Sequence, residues 1–145
     1  MSSASERVLS LIAGLSLAGM VVSSVSLYHH YGSSKTTYCD FSQSFNCDLV
    51  NRSTYSTVLG VPDALIGIVG YASILMLVTL GRSNKDTPAL LLIGSVAGLG
   101  FAFYLTYVEA FVLATWCILC LSSLGVIVSI TVLSSWLFAR GMRQE

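Results

Sequence analysis

Charge is what this sequence has least of. Asp, Glu, Lys and Arg make up only 10% of its 145 residues, against about 25% in an ordinary soluble domain. With 54% of the residues hydrophobic, too little polar cover remains for a soluble globule of this size. The same shortage excludes a disordered chain, which polar residues must keep solvated. Neither sign of charge is in excess: seven Lys+Arg offset seven Asp+Glu, so no nucleic-acid partner is expected. What is present is hydrocarbon and four cysteines. The expectation is a small integral membrane protein with a single domain over 1–145.

A membrane-crossing helix needs about 20 predominantly apolar residues, and the chain offers such runs at approximately 8–28, 58–80, 88–108 and 115–138. The fold class expected is all-α, a membrane four-helix bundle with a long outward loop between its first and second helices. Trp116 and Trp136 stand about 20 residues apart, or about 30 Å along a helix, which suits the two aromatic belts of one span. The small-residue stretch Ser24 to Ser26 follows too long an apolar run for a signal peptide, so the first span is expected to remain uncleaved. Arg7, Arg82, Lys85, Arg140 and Arg143 fall at one end of these spans, and only Lys35 and Arg52 at the other. That asymmetry places both termini in the cytoplasm of a cell inner or plasma membrane, with the long loop outside.

All four cysteines fall on the outward side. Cys39 and Cys47 stand in the long loop as CDFSQSFNC, and Cys117 and Cys120 form CILC at the start of the last span. The outward side is oxidising, so disulfides persist there. At a helix N-terminus, the dipole and free N–H groups favour a thiolate on the first cysteine of a CxxC, as in thiol–disulfide exchange catalysts. Thr115 is the candidate N-cap. The segment before CILC, AFVLAT, is apolar enough to stay at the membrane surface, within reach of a carrier dissolved in the bilayer. A quinone, which takes two electrons, matches a dithiol, which gives two. Two cysteine pairs at two depths thus suggest a relay from aqueous thiols to quinone. The competing reading is a non-enzymatic four-span protein whose disulfides staple a loop. No metal is expected, because the second pair sits in an apolar helix with no polar groups around it to orient metal ligands.

These residues resemble the vitamin K epoxide reductase family. The resemblance rests on the Cys-x7-Cys pair in the first outward loop, Ser53 a few residues beyond it, GVPDALIGIVGY at 60–71, and CxxC opening the last span. It covers about 8–137 and implies catalytic roles for Cys39, Cys47, Cys117 and Cys120. Cys39 takes electrons from a partner thiol, Cys47 carries them to Cys117, and Cys120 faces the quinone ring. The resemblance further implies quinone contacts from Ser53 and from Asp63, at a position that is commonly Asn. Leu124 stands where vertebrate members have a Tyr that helps hold vitamin K. With a short segment after Cys47, this points to the prokaryotic branch, in which quinone reduction drives disulfide formation. Epoxide reduction is the alternative within the family. The acceptor implied is a quinone of the ubiquinone, menaquinone or phylloquinone type. The electron source implied is a separate thioredoxin-fold thiol protein, since no thioredoxin-like domain follows the last span in this sequence.

Other residues carry secondary expectations. Gly94, Gly98 and Ala102 form a small-residue stripe suited to close helix packing. Glu109 is expected to reach out to the membrane surface, a proton role being the alternative. His29 and His30 are read as solvated interface residues. Tyr28, Tyr31 and Tyr38 form a candidate interfacial aromatic cluster, while Tyr104 and Tyr107 are left undecided between bundle and lipid. Tyr55, Val58 and Leu59 begin the second helix or lie over the quinone as a lid. Asn51-Arg52-Ser53 is a formal glycosylation sequon.

Overall fold

The architecture follows from a computed structural model, which describes residues 2–32 and 42–144. Lys35, Tyr38 and Cys39 lie outside the described residues. Four long helices dominate: α1 (Ser3–Tyr31), α3 (Asp63–Leu80), α4 (Thr87–Tyr107) and α5 (Ile118–Gln144). Between α1 and α3 come a short helix α2 (Cys47–Asn51), a 3-10 turn at Thr54–Ser56 and a hairpin of β1 (Thr57–Val58) and β2 (Val61–Pro62). Each long helix carries an extended apolar stretch, and four segments are long and apolar enough to cross a membrane. In hydrocarbon a helix satisfies its own backbone polar groups, which a sequence of this composition requires. The chain is a multi-pass membrane protein with an all-α, four-helix bundle.

The distribution of apolar residues supports that setting. Val21, Val69, Ile93, Phe103 and Val132 are exposed on the bundle's outside, while Ile12, Leu91 and Ile130 are fully buried at its centre. Tyr104 and Tyr107 also turn outward. Helix α1 packs chiefly on α3 and α5, and α4 chiefly on α5. One close approach depends on glycine: a Cβ on Gly19 would stand 2.5 Å from the Tyr71 ring. At the end that holds both termini, Arg82 Nη2 donates to Glu6 Oε2 at 2.5 Å, tying the α3–α4 turn to α1.

Three local features depart from expectation. The second helix begins at Asp63 rather than near Val58. Residues 57–62 form the hairpin instead, turned by Leu59 and Gly60 at φ 54° and 82°. Positive φ at both turn positions matches the twist of a two-residue hairpin, and Pro62 then sets the helix start. The third span does not stop at Val108. It runs on as a π-helical turn, Val108–Leu113, ended by Ala114 in the left-handed region at φ 49°. Most of the apolar segment before CILC, which lies between the two expected spans, is therefore helical but wider. The glycine stripe on α4 packs closely only in part: Gly98 approaches Ile127 of α5, while a Cβ on Gly94 would meet open space.

Candidate functional site

The site is assembled where the loop after α1 meets the α4–α5 connection. Trp116 N–H donates to the Ser44 carbonyl at 2.8 Å, and Asn46 N–H donates to the Trp116 carbonyl at 3.1 Å. This short parallel ladder fixes the register between loop and connection. Asn46 then caps α2, its Oδ1 accepting from Leu49 N–H at 2.8 Å. Cys47 follows as the first residue of α2, fully buried, and it packs in one cluster with Val50 and Cys117. Cys47 is disulfide-bonded, whereas Cys117 and Cys120 are free thiols. Cys39 belongs to the residues outside the description.

Helix α2 is clamped onto the end of α1. His29 Nδ1 lies 3.2 Å from Asp48 Oδ1, and His30 Nδ1 meets the Asn51 carbonyl. Arg52 Nε donates to the His29 carbonyl at 3.4 Å. Both histidines therefore differ from their expected solvated state: His29 is 2% exposed, because α2 folds back over the helix end. The Ser56 hydroxyl donates to the Asn51 carbonyl at 2.7 Å, closing the 3-10 turn against α2.

Cys117 occupies the cap position of α5, its carbonyl accepting from Leu121 N–H at 3.0 Å. The expected cap, Thr115, is used otherwise, its hydroxyl donating to the Leu113 carbonyl at 3.2 Å. The partner of Cys117 N–H is instead the carboxyl of Glu109, at 3.1 Å from Oε2. Glu109 does not reach the membrane surface; it is 1% exposed. The π-helical turn folds it inward under the start of α5. Cys117 sits just ahead of the membrane-crossing helix, and its thiol is held below its ordinary value. The Cys120 sulfhydryl does most of this by hydrogen bonding, with the N–H groups of Cys120 and Leu119 adding to it against burial and the Glu109 charge. Asn51 Nδ2 approaches Cys117 Sγ at 4.0 Å.

One turn into α5, Cys120 lines a cavity of about 410 Å³ bordered chiefly by the four long helices. Its wall is largely apolar and includes Ile66, Ile74, Phe101 and Leu105. Its polar members besides Cys120 are Ser23, Ser26, Asn51, Asp63, Tyr71 and Ser123. Asp63 is buried, with Oδ1 accepting from Ala64 N–H at 2.7 Å. Tyr71 closes one side through its hydroxyl, 2.9 Å from the Ser123 carbonyl. An apolar slot with a few polar groups beside a thiol fits a flat, apolar ring with carbonyl oxygens, and the volume is in the range of small-molecule sites. Among the described residues, no cluster of His, Cys, Asp or Glu is placed to hold a metal ion.

Asp63 and Cys120 thus share the cavity, and Cys47 adjoins Cys117. Ser53 and Leu124 do not line the cavity. The Ser53 hydroxyl donates to the Val50 carbonyl at 2.8 Å, and Leu124 packs against the bundle core. Asn51, Tyr71 and Ser123 are residues of this site that the sequence reading did not assign to it, and Glu109 entered it only as the alternative to a surface position. For Asn51 a signal existed: it stands four residues after Cys47, hence on the same face of a helix.

A four-helix membrane bundle with a CxxC opening its last helix, against a second cysteine segment, defines a class of membrane redox proteins. A family model described as the vitamin K epoxide reductase family matches residues 10–135, and the chain belongs to that family. A search of curated proteins gives no match. Membership makes the protein a membrane oxidoreductase of the vitamin K epoxide reductase type.

Proposed function

We propose that the protein oxidises extracytoplasmic dithiols and passes their electrons to a membrane quinone, supporting disulfide-bond formation. The observation that carries this reading is the placement of Cys47 in one buried cluster with Cys117, while Cys120 lines the apolar cavity. In this reading a reduced thioredoxin-fold protein reduces the Cys39–Cys47 pair. The Cys47 thiolate then attacks Cys117 of an oxidised Cys117–Cys120 pair and releases Cys120. Attack of Cys39 on Cys47 frees Cys117 and leaves the inner pair reduced, as thiol–disulfide exchange through mixed disulfides requires. Asp63 and Asn51 border the space for the acceptor's oxygens. The quinone supplies the two-electron sink that returns the inner pair to its disulfide. Both termini lie in the cytoplasm, and the cysteines face the opposite side.

The test uses purified protein, a reduced thioredoxin-fold partner and a quinone, with quinol followed over time. Quinol is expected from the intact chain, and none from Cys120→Ala, which should retain its melting temperature. If no common quinone yields quinol, the reading fails. If Cys120→Ala lowers stability while quinol formation survives, the pair is a structural staple.

A further inference from the structure

Glu109 is an expensive way to satisfy a backbone N–H. An uncharged acceptor would cap Cys117 without the penalty of burying a carboxylate, and the Thr115 hydroxyl stands two residues away. The chain nevertheless widens a helical turn over Val108–Leu113 and places Ala114 at φ 49°, a left-handed conformation unfavourable for a residue with a Cβ. Thr115 N–H bonds the Glu109 carbonyl at 3.1 Å, so the turn closes on Glu109 itself. One carboxyl oxygen takes the Cys117 N–H. The other, Oε1, is buried with no hydrogen-bond partner among the described residues. The Cys120 sulfhydryl is close enough to interact with this carboxyl.

We propose that Glu109 is the proton acceptor of the inner cysteine pair, holding the Cys117 N–H with Oε2 and taking the Cys120 thiol proton on Oε1. The inference rests on the reading of Cys117 and Cys120 as the pair that reduces quinone. The reduced pair carries a thiolate on Cys117 and an S–H on Cys120. As two electrons leave for the quinone, the sulfurs join in a disulfide, the Cys120 S–H bond breaks and its proton passes to Glu109. That proton, with one more from solvent, completes the quinol. The titratable groups around Glu109 are Cys117 at the cap of α5, Cys120 on α5 and Asp63 on α3, and His30 on α1 acts on Asp63 in turn. Asp63 borders the cavity, so it lies on the proton's way out.

The test is redox-difference infrared spectroscopy on the full chain, poised electrochemically with no quinone present. Oxidation is expected to produce a carboxylic-acid C=O band that shifts in deuterium oxide. The band should persist in Asp63→Asn and Glu109→Asp and vanish in Glu109→Gln. The Gln side chain keeps an oxygen for the Cys117 N–H, so this variant should melt like the native chain while forming quinol about a hundredfold more slowly. A purely structural Glu109 predicts no band and unimpaired quinol formation in Glu109→Gln. Absence of the band, or its survival in Glu109→Gln, overturns the proposal. A native chain that shows the band yet forms no quinol fails the quinone reading instead.

Discussion

The Trp116 N–H donates to the Ser44 carbonyl at 2.8 Å, and through this bond two segments far apart in sequence lie side by side. Its companion, from Asn46 N–H to the Trp116 carbonyl at 3.1 Å, completes a ladder one residue before Cys47. Side-chain chemistry at 44 and 116 is incidental to this docking, because main-chain groups make it. The ladder sets where Cys47 adjoins Cys117, so in the proposed relay it is what positions the two sulfurs for exchange.

Asn46 separates the two things that hold Cys47. Asn46→Ala removes only the cap on Leu49 N–H, at a cost of about 1 kcal/mol. Asn46→Pro also removes the N–H that reaches Trp116. In a chain with Cys39→Ala and Cys120→Ala, only Cys47 and Cys117 remain, and mild oxidation should join them. Joining should proceed at a similar rate with Asn46→Ala and much more slowly with Asn46→Pro, as followed by thiol-labelling gel shifts. Equal rates in both variants would mean the ladder does not position the pair.

What the sequence revealed, and what it hid, divides along the range of the interactions concerned. The four spans depend on local composition alone, and the bundle has them. The shared end of both cysteine segments follows from span parity. By contrast, the burial of His29 depends on α2 folding back, with Asp48 arriving from beyond the loop. Glu109 reads locally as the polar end of a span, and only the π-helical turn brings it to Cys117 N–H. Positions 57–62 are apolar enough to extend a helix, yet Gly60 and Pro62 favour the hairpin. Ser53 and Leu124 entered by resemblance alone, and in the fold the Ser53 hydroxyl bonds the Val50 carbonyl while Leu124 packs on the bundle core.

Cys117 offers a test by pH. Its thiol is held below the ordinary value chiefly by a hydrogen bond from Cys120, so thiolate should appear at lower pH when that donor is present. In Cys120→Ser a hydroxyl replaces the sulfhydryl as donor, and in Cys120→Ala none remains. With Cys47 disulfide-bonded, Cys117 is then the titrating thiol. Ultraviolet thiolate absorbance should rise at lower pH in Cys120→Ser than in Cys120→Ala. Coincident curves, or the reverse order, would show that Cys120 is not what lowers Cys117.

Tightness at Gly19 predicts a stability loss. A Cβ there would stand 2.5 Å from the Tyr71 ring, and that ring is anchored by its hydroxyl at 2.9 Å from the Ser123 carbonyl. Gly19→Ala should therefore force the ring or helix α1 aside, costing about 1–3 kcal/mol as overpacking does. Gly14, on the same helix, has nothing within 4 Å of a built Cβ. Gly14→Ala should be neutral or gain up to about 1 kcal/mol from helix propensity. Thermal unfolding in detergent compares the two, and equal melting temperatures would contradict the close approach.

Gly94 makes the converse case, in which added bulk should spare the fold and alter binding. It lines the cavity shared by Cys120 and Asp63, and its built Cβ meets nothing within 4 Å. A leucine at this position starts from a Cβ in open space, and its branches would fill cavity space that an apolar ring needs. Gly94→Leu should melt at or above the native temperature, since a helical glycine is lost, while the KM for quinone rises. Exchange between Cys47 and Cys117 lies in a separate cluster and should be unchanged. This split distinguishes the cavity from the docking ladder as the place where the acceptor binds: a variant with native KM would put the acceptor elsewhere.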